Sequence, residues 1–131
     1  MIVVDASALV AIGADEPDKD VYVRALMSDE CVISNINYVE TGIILISRSQ
    51  LMRKPEFDQW MSRLGVAIRQ TDDLAEPALE AYLKFGRGFH RARLNLADCF
   101  AYALATRLGA PLLYKGDDFT FTDVRRVRQP T

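Results

Sequence analysis

The chain of 131 residues has little histidine, little cysteine and no excess of positive charge. Its single histidine, His90, excludes any catalytic mechanism that requires a pair of histidines. The two cysteines, Cys31 and Cys99, lie in apolar segments, where a free thiol behaves as a small buried hydrophobe, so a disulfide is not expected. The formal net charge of −2 gives no overall basic character. A nucleic-acid contact would therefore have to come from a local patch.

Long hydrophobic runs are also absent from the sequence. The longest strongly apolar run, residues 42–46, is far too short to span a bilayer, so no membrane association is expected. The first apolar run contains Asp5 and follows no positively charged segment, which excludes a signal peptide. We therefore expect a cytoplasmic protein in which residues 1–131 form one domain with its own core.

Short apolar runs alternate with segments of helical periodicity along the whole chain. Strands are predicted at residues 2–4, 31–34, 66–68 and 112–114, with a short edge strand at 124–127. Helices are predicted at residues 7–13 with Ser7 as cap, 17–28, 35–49, 55–64, from a cap at Thr71 or Asp72 to Gly86, and 95–108. This alternation predicts an α/β fold, with a mainly parallel sheet of four to five strands covered on both faces.

Acidic residues recur where the predicted strands end. Asp5 follows the first strand, Glu40 lies in the helix after the second, and Asp117 and Asp118 follow the fourth, while Asp98 lies in the most apolar helix. Parallel strands end at one edge of a sheet, where ligand crevices form. Clustered carboxylates need a positive charge to neutralise them, and hard oxygen ligands select Mg²⁺ or Mn²⁺. The pattern predicts a divalent-metal phosphoryl-transfer site.

Each acid also has a structural interpretation. A backbone amide or Asn95 can satisfy a buried Asp98, and Asn37 and Thr41 can mark a polar stripe beside Glu40 on a half-exposed helix.

The acids at the strand ends also have structural interpretations, which involve only neighbouring residues. Asp5 can be a helix cap, and Asp117 and Asp118 after Gly116 can form an ordinary turn. Asp123 is a more distant candidate for the acidic set.

Four segments together resemble the PIN-domain ribonucleases, and most closely the VapC-type toxins. The segments are Asp5-Ala6-Ser7-Ala8-Leu9-Val10, Tyr38-Val39-Glu40, the run from Asn95 to Ala105, and the run from Leu112 to Asp123. The resemblance spans the chain and implies a three-layer α/β/α sandwich that cleaves RNA with Mg²⁺. It also implies an RNA substrate, a cognate antitoxin and a homodimer as partners.

The resemblance implies a role for each acid. Asp5 and Asp98 would be direct metal ligands, Glu40 would support the same site, and Asp117 or Asp118 would complete it.

Two further positions bear on the resemblance. Ser7 matches a hydroxyl residue that often lies near the metal and is taken as substrate-binding. Many PIN proteins have an acid where this chain has Gly116, which leaves the choice between Asp117 and Asp118 open.

A basic segment precedes the helix that carries Asp98. It contains Arg87, His90 and Arg91 together with Phe89. Beside an acidic site these residues can bind RNA phosphates, with Phe89 stacking on a base. The alternative is a solvated face, the commoner meaning of a short charge run.

Two other functions fit parts of the sequence. A receiver-type signalling domain uses acids at strand ends and a lysine after the last strand, and Asp5, Asp72, Asp73 and Lys115 superficially fit. It requires an acidic pair near the first strand, which is missing, and it gives Asp98 no role. A catalytically silent PIN module that binds RNA or an antitoxin would keep the fold without turnover.

Overall fold

A computed structural model of the protein describes residues 1–70 and 72–128. The candidate cap Thr71 lies outside the described residues. The strands are β1 (Ile2–Val4), β2 (Cys31–Ser34), β3 (Ala67–Arg69) and β4 (Leu112–Leu113). The helices are α1 (Ala6–Gly13), α2 (Lys19–Ser28), α3 (Asn35–Gly42), α4 (Lys54–Leu64), α5 (Ala75–Phe85) and α6 (Leu96–Leu108). A π-helical segment, Ile43–Arg48, directly follows α3.

The four strands form one parallel sheet in the order β3-β2-β1-β4. In β1, Val3 is paired with Val32 of β2 and with Leu112 of β4. Because parallel strands end at the same edge, the segments that follow β1, β2 and β4 lie side by side. The predicted edge strand at residues 124–127 is reduced to one bridge between Leu112 and Arg126, since β4 itself has only two residues.

Helices cover both faces of the sheet, and side-chain alternation along the strands decides which face each residue joins. Val3 and Leu112 pack with α5 and α6 in one apolar cluster. Val4 and Leu113 pack with α1, α2 and α4 in a second cluster on the other face. The predicted three-layer α/β/α sandwich is confirmed. None of the helices in the described part of the chain is long and apolar enough to cross a membrane.

Two helix boundaries differ from prediction near the strand ends. α1 begins at Ala6, because the side chain of Asp5, not that of Ser7, caps it. The single helix predicted for residues 35–49 is divided into α3 and the π-helical segment. Such π-helical turns frequently occur at functional sites, and this one starts three residues after Glu40.

Candidate active site

Asp5 lies directly after β1, at the edge where the parallel strands end. Its Oδ2 accepts two hydrogen bonds from Ser7, one from the backbone N–H at 3.1 Å and one from the hydroxyl at 2.6 Å. The residue is only 4% exposed, and its Oδ1 has no hydrogen-bond partner among the described residues. The helix-cap interpretation is therefore correct for one oxygen. The other oxygen is a buried acceptor that needs a partner.

Asp98 lies in the first turn of α6 and is 5% exposed. Its backbone N–H donates to Asn95 Oδ1 at 2.8 Å, and its Oδ2 accepts the backbone N–H of Asn95 at 3.0 Å. This reciprocal capping box fixes Asp98 relative to its own helix. A backbone amide does satisfy Oδ2 of Asp98, as the structural interpretation expected. That hydrogen bond does not remove the free-energy cost of burying the negative charge.

Glu40 lies half-buried on α3. The polar stripe suggested for Asn37 and Thr41 is not on a solvated face, because both side chains are completely buried. Asn37 Nδ2 donates to the carbonyl oxygen of Ala97 in α6 at 3.0 Å, and Thr41 Oγ1 donates to the carbonyl oxygen of Asn37 at 2.8 Å. The polar side of α3 therefore faces the protein interior.

Burial and neighbouring negative charges together raise the pKa values of three carboxyl groups at this edge. Burial raises the pKa of Asp5, and it is also the main reason that the pKa of Glu40 and that of Asp98 each rise to about 7. The charges of Asp5 and Asp118 raise the pKa of both Glu40 and Asp98 further. Because such effects require the groups to lie close together, Asp5, Glu40, Asp98 and Asp118 form one cluster, called the acidic site below.

The two adjacent aspartates after β4 differ in their relation to the acidic site. Asp118 is among the main charges that raise the pKa of the other three acids, and Asp117 is not. Gly116 has a φ of +98°, a conformation that glycine adopts without a steric penalty. The backbone N–H of Lys115 donates to Ser7 Oγ at 3.0 Å, which ties this loop to the residue whose hydroxyl donates to Asp5.

The residues of the basic segment before α6 differ in what their side chains contact. Arg87 is exposed and lines an apolar groove of ≈ 560 Å³. The guanidinium of Arg91 lies over the ring of Phe121, 4.4 Å from its centroid. His90 Nδ1 accepts the backbone N–H of Ala92 at 3.0 Å, which helps to hold the loop.

Two residues beside the acidic site, Arg48 and Asn37, were not predicted from the sequence to be site residues. Arg48 lines a groove of ≈ 370 Å³ together with Glu40, and its charge lowers the pKa of Glu40. Asn37 lowers the same pKa through a side-chain hydrogen bond. The spacing of Asn37 and Glu40, three residues apart in a helix, was a usable signal for a shared side. Asp123, in contrast, is exposed and accepts a hydrogen bond from the Tyr102 hydroxyl.

The acidic site has the donor chemistry that a divalent cation requires. Carboxylate oxygens suit Mg²⁺ and Mn²⁺, and a cation would offset both the burial and the repulsion that raise these pKa values. Within residues 1–70 and 72–128, no three His, Cys, Asp or Glu side chains are grouped so that they could hold a metal ion as they stand. The fit therefore rests on the unpartnered Oδ1 of Asp5 and on the oxygen chemistry of the set.

Comparison with known proteins assigns the family. The family model for the PIN domain matches residues 2–126. The chain is 45% identical to ribonuclease VapC of Mycolicibacterium smegmatis over 128 residues, covering 96% of this chain and 99% of that protein. The chain belongs to the VapC ribonucleases of the PIN-domain family. It is also 40% identical to ribonuclease VapC30 of Mycobacterium tuberculosis over 131 residues, covering 98% and 100% of the two chains.

Solved structures share the fold of this VapC ribonuclease. The crystal structure of Mycobacterium tuberculosis VapC20, a toxin that cleaves the sarcin-ricin loop, matches with a TM-score of 0.76 at 24% identity over 99% of this chain and all of that chain. A toxin-antitoxin complex from Klebsiella pneumoniae matches with a TM-score of 0.68 at 18% identity, covering 94% and 93%. At these identities the likeness confirms the fold.

Membership of the VapC family makes the chain a nuclease that hydrolyses phosphodiester bonds in RNA. The receiver-type alternative is wrong, and the structure gives the physical reason. Lys115 Nζ is paired with Asp18 at 3.0 Å and with Glu16 at 3.3 Å, so its charge is engaged outside the acidic site. Asp73 is paired with Arg107 on α6.

Proposed function

We propose that this VapC ribonuclease is the toxin of a toxin-antitoxin pair and cleaves RNA internally at the acidic site, with Mg²⁺ or Mn²⁺ as cofactor. A metal requirement is general among VapC ribonucleases. The observation that carries the proposal is the burial of Asp5 and Asp98, together with the charges of Asp5 and Asp118, which add to the effect of burial in raising the pKa values of Glu40 and Asp98. Buried acids that also repel one another are costly without a cation.

The roles of the side chains follow from their contacts. Asp5 and Asp98 would hold the cation, and Ser7 keeps Asp5 oriented through two hydrogen bonds to the same oxygen. When bound, the cation lowers the pKa of a water molecule and stabilises negative charge on the phosphate oxygens. Asp118 adds negative charge to the site. Glu40, whose pKa is about 7, can take up a proton at neutral pH.

The proposal is tested by removing the metal. Purified protein, freed of any partner, is expected to cleave RNA with Mg²⁺ or Mn²⁺ and to lose this activity in excess EDTA, because the cation would supply the activated water and stabilise charge on the phosphate. Gel analysis of RNA fragments measures the activity, and EDTA that has been saturated with Mg²⁺ beforehand is the control. Undiminished cleavage in excess EDTA would contradict the proposal.

The adjacent aspartates provide a matched pair of variants. Asp118→Asn is expected to lower the cleavage rate by roughly 10- to 100-fold, a size typical for groups that support a metal site, since Asp118 acts on the other three acids. Asp117→Asn removes the same charge from the neighbouring position and is expected to stay close to wild type. A larger loss for Asp117→Asn would reverse the assignment.

We propose that Arg87, His90 and Arg91 bind substrate, and that Ser7, which was expected to bind substrate as well, acts through Asp5. The support differs between them. Arg87 and Arg91 are exposed and precede α6, which carries an acid of the site, so they can reach phosphates of a bound strand. Ser7 Oγ contacts Asp5 directly, so it can act at most through that acid.

The double variant Arg87→Ala, Arg91→Ala is expected to bind RNA more weakly and with a flatter salt dependence. Each lost phosphate contact should reduce the slope of log K against log salt by about 0.7 for single-stranded RNA. Fluorescence anisotropy at several salt concentrations measures the slope. Arg24→Ala, Arg63→Ala is the control, because these exposed residues lie on α2 and α4, on the other face of the sheet. Equal slopes for both double variants would assign Arg87 and Arg91 to a solvated face.

The proposal also includes a cognate antitoxin and a homodimer. Apolar side chains are exposed around the acidic site, and Leu96, 71% exposed, lines both grooves described above. Exposed apolar patches of this kind are typical of protein interfaces. Light scattering on the chain alone and with its antitoxin measures both assemblies. A cytoplasmic location is supported by the two cysteines, which are free and buried.

A further inference from the structure

Three polar side chains at the junction of β2 and α3 are completely buried. Ser34, Asn37 and Thr41 have no exposed surface. A buried polar group is costly unless it is hydrogen-bonded, and such groups specify particular arrangements when their networks are satisfied. None of the three is an acid of the proposed metal site, so their burial needs a separate explanation.

Besides the side-chain hydrogen bond that lowers the pKa of Glu40, Asn37 has hydrogen bonds toward β2 and toward α6. On the β2 side, Ser34 Oγ donates to Asn37 Oδ1 and accepts the backbone N–H of Asn37 at 3.0 Å. On the α6 side, Asn37 Nδ2 donates to the carbonyl oxygen of Ala97 at 3.0 Å. The hydroxyl of Ser34 thus fixes which way the amide faces, with its NH₂ group toward α6.

The Asn37 amide links α3 and α6, two helices that each carry an acid of the site. Ala97 directly precedes Asp98 in the first turn of α6. Glu40 follows Asn37 by three residues on α3, so the two side chains share one side of the helix. The capping box of Asn95 fixes Asp98 within α6, but it does not fix the distance from α6 to α3.

The bond to Ala97 is not needed to satisfy the Ala97 carbonyl. A carbonyl in the first turn of an α-helix already accepts the N–H of the residue four positions later. The amide of Asn37 therefore adds a second bond to that oxygen. Its effect is to join α3 to α6 at the level of the acidic site.

We infer that Asn37 is a positioning residue, which sets the spacing between Glu40 on α3 and Asp98 on α6 through its bond to Ala97. This inference rests on the proposed function of the acidic site as a metal site. Residues that orient metal ligands from behind commonly control metal affinity without touching the metal. Asn37 would act in this way through the backbone of Ala97, the residue directly before the proposed ligand Asp98.

Metal affinity separates this role from a merely structural one. Asn37→Leu keeps most of the side-chain volume and removes the amide, and Asn37→Ser is a smaller change that guards against misfolding of the leucine variant. Thr41→Val is the matched control. Thr41 is equally buried on the same helix, but its hydroxyl bonds to the carbonyl of α3 itself.

The experiment is Mn²⁺ titration by calorimetry on metal-free protein, with circular dichroism and thermal melts to verify folding. Both Asn37 variants are expected to bind Mn²⁺ more weakly, by about 10-fold, the lower end of the usual range for outer partners of metal ligands. Thr41→Val is expected to melt at a lower temperature with unchanged Mn²⁺ affinity. Single-turnover RNA cleavage at saturating RNA should fall for the Asn37 variants, while RNA affinity stays the same.

The outcomes distinguish the inference from the proposed function. Wild-type protein that neither binds Mn²⁺ nor cleaves RNA would contradict the metal site itself. Wild-type binding and cleavage together with unchanged Mn²⁺ affinity in a folded Asn37→Ser variant would overturn the role of Asn37 alone. A Thr41→Val variant that weakens Mn²⁺ binding as much as Asn37→Ser would also overturn it, since general packing of α3 would then explain both.

Discussion

Asp98→Asn is expected to reduce RNA cleavage by roughly a thousandfold or more while the protein stays folded, since the loss of an outer partner of a metal ligand already costs about 10- to 100-fold. The asparagine side chain keeps an oxygen that can accept the backbone N–H of Asn95, so the capping box of α6 can persist. What it removes is the negative charge that a bound cation requires.

Single-turnover cleavage of RNA with Mg²⁺, followed by fragment analysis, measures the loss. Asp123→Asn is the control, because Asp123 is an exposed aspartate that accepts a hydrogen bond from Tyr102. It should retain nearly full activity. A folded Asp98→Asn variant with activity near that of Asp123→Asn would mean that Asp98 serves the structure of α6 and not the reaction.

The fold could be predicted from the sequence because its local signals agree with one another. Short apolar strands such as Ile2–Val4 and Cys31–Ser34 alternate with amphipathic helices, and both strands lie where the pattern places them. Burial on both faces makes such strands uniformly apolar, which is typical of parallel sheets. The positions of the strand ends in the sequence were then enough to predict, without any distances, that the acids lie at one edge of the sheet.

The parts that could not be predicted depend on contacts between distant segments. Asp117 and Asp118 have equal local signals, and the difference between them arises from the loop geometry after β4, where Gly116 adopts a positive φ. Asn37 and Thr41 looked like a solvated stripe because polar residues in a helix are usually exposed. Asn37 contacts α6 at Ala97, which lies 60 residues further along the chain, and local sequence does not reveal such a contact.

The division of the helix after β2 is a further example. Helical periodicity through residues 35–49 predicts one continuous α-helix, and periodicity does not distinguish an α-helical turn from a single wider turn. The π-helical segment Ile43–Arg48 brings Arg48 into the groove that Glu40 lines. Arg48 follows Glu40 by eight residues, a spacing that shares one side of a continuous α-helix as well, so the sequence offered this basic residue as a neighbour of Glu40 even though the π-helical segment was not predicted.

The acidic site should make the metal-free protein less stable as the pH rises. Folding raises the pKa of Asp98 from its ordinary 3.8 to about 7, and that of Glu40 from 4.5 to about 7. Between those limits the folded state binds more protons than the unfolded state, so the free energy of unfolding falls as pH increases from about 4 to about 7. Above that window the full penalty is present, because both acids are ionised in either state.

Asp98→Asn is therefore expected to raise the melting temperature of the metal-free protein at pH 8, although it inactivates the enzyme. The rise from 3.8 to about 7 corresponds to about 4 kcal/mol, at about 1.4 kcal/mol for each unit of pKa change, and this is the largest stabilisation that removing the buried charge should give. The melting temperature should therefore rise by several degrees or more for a domain of this size. At pH 4 the difference from wild type should vanish, because Asp98 is then protonated in the folded wild type.

Mg²⁺ should reverse the order of stability at pH 8. The cation binds the folded wild type and favours the ionised acids, so it raises the wild-type melting temperature as its concentration exceeds the dissociation constant. The Asp98→Asn variant and the corresponding Asp5→Asn variant lose most of this gain. Thermal melts at pH 4 and pH 8, with and without Mg²⁺, measure all four conditions. Variants that melt below wild type without metal and keep the full response to Mg²⁺ would show that these aspartates stabilise the fold and do not hold a cation.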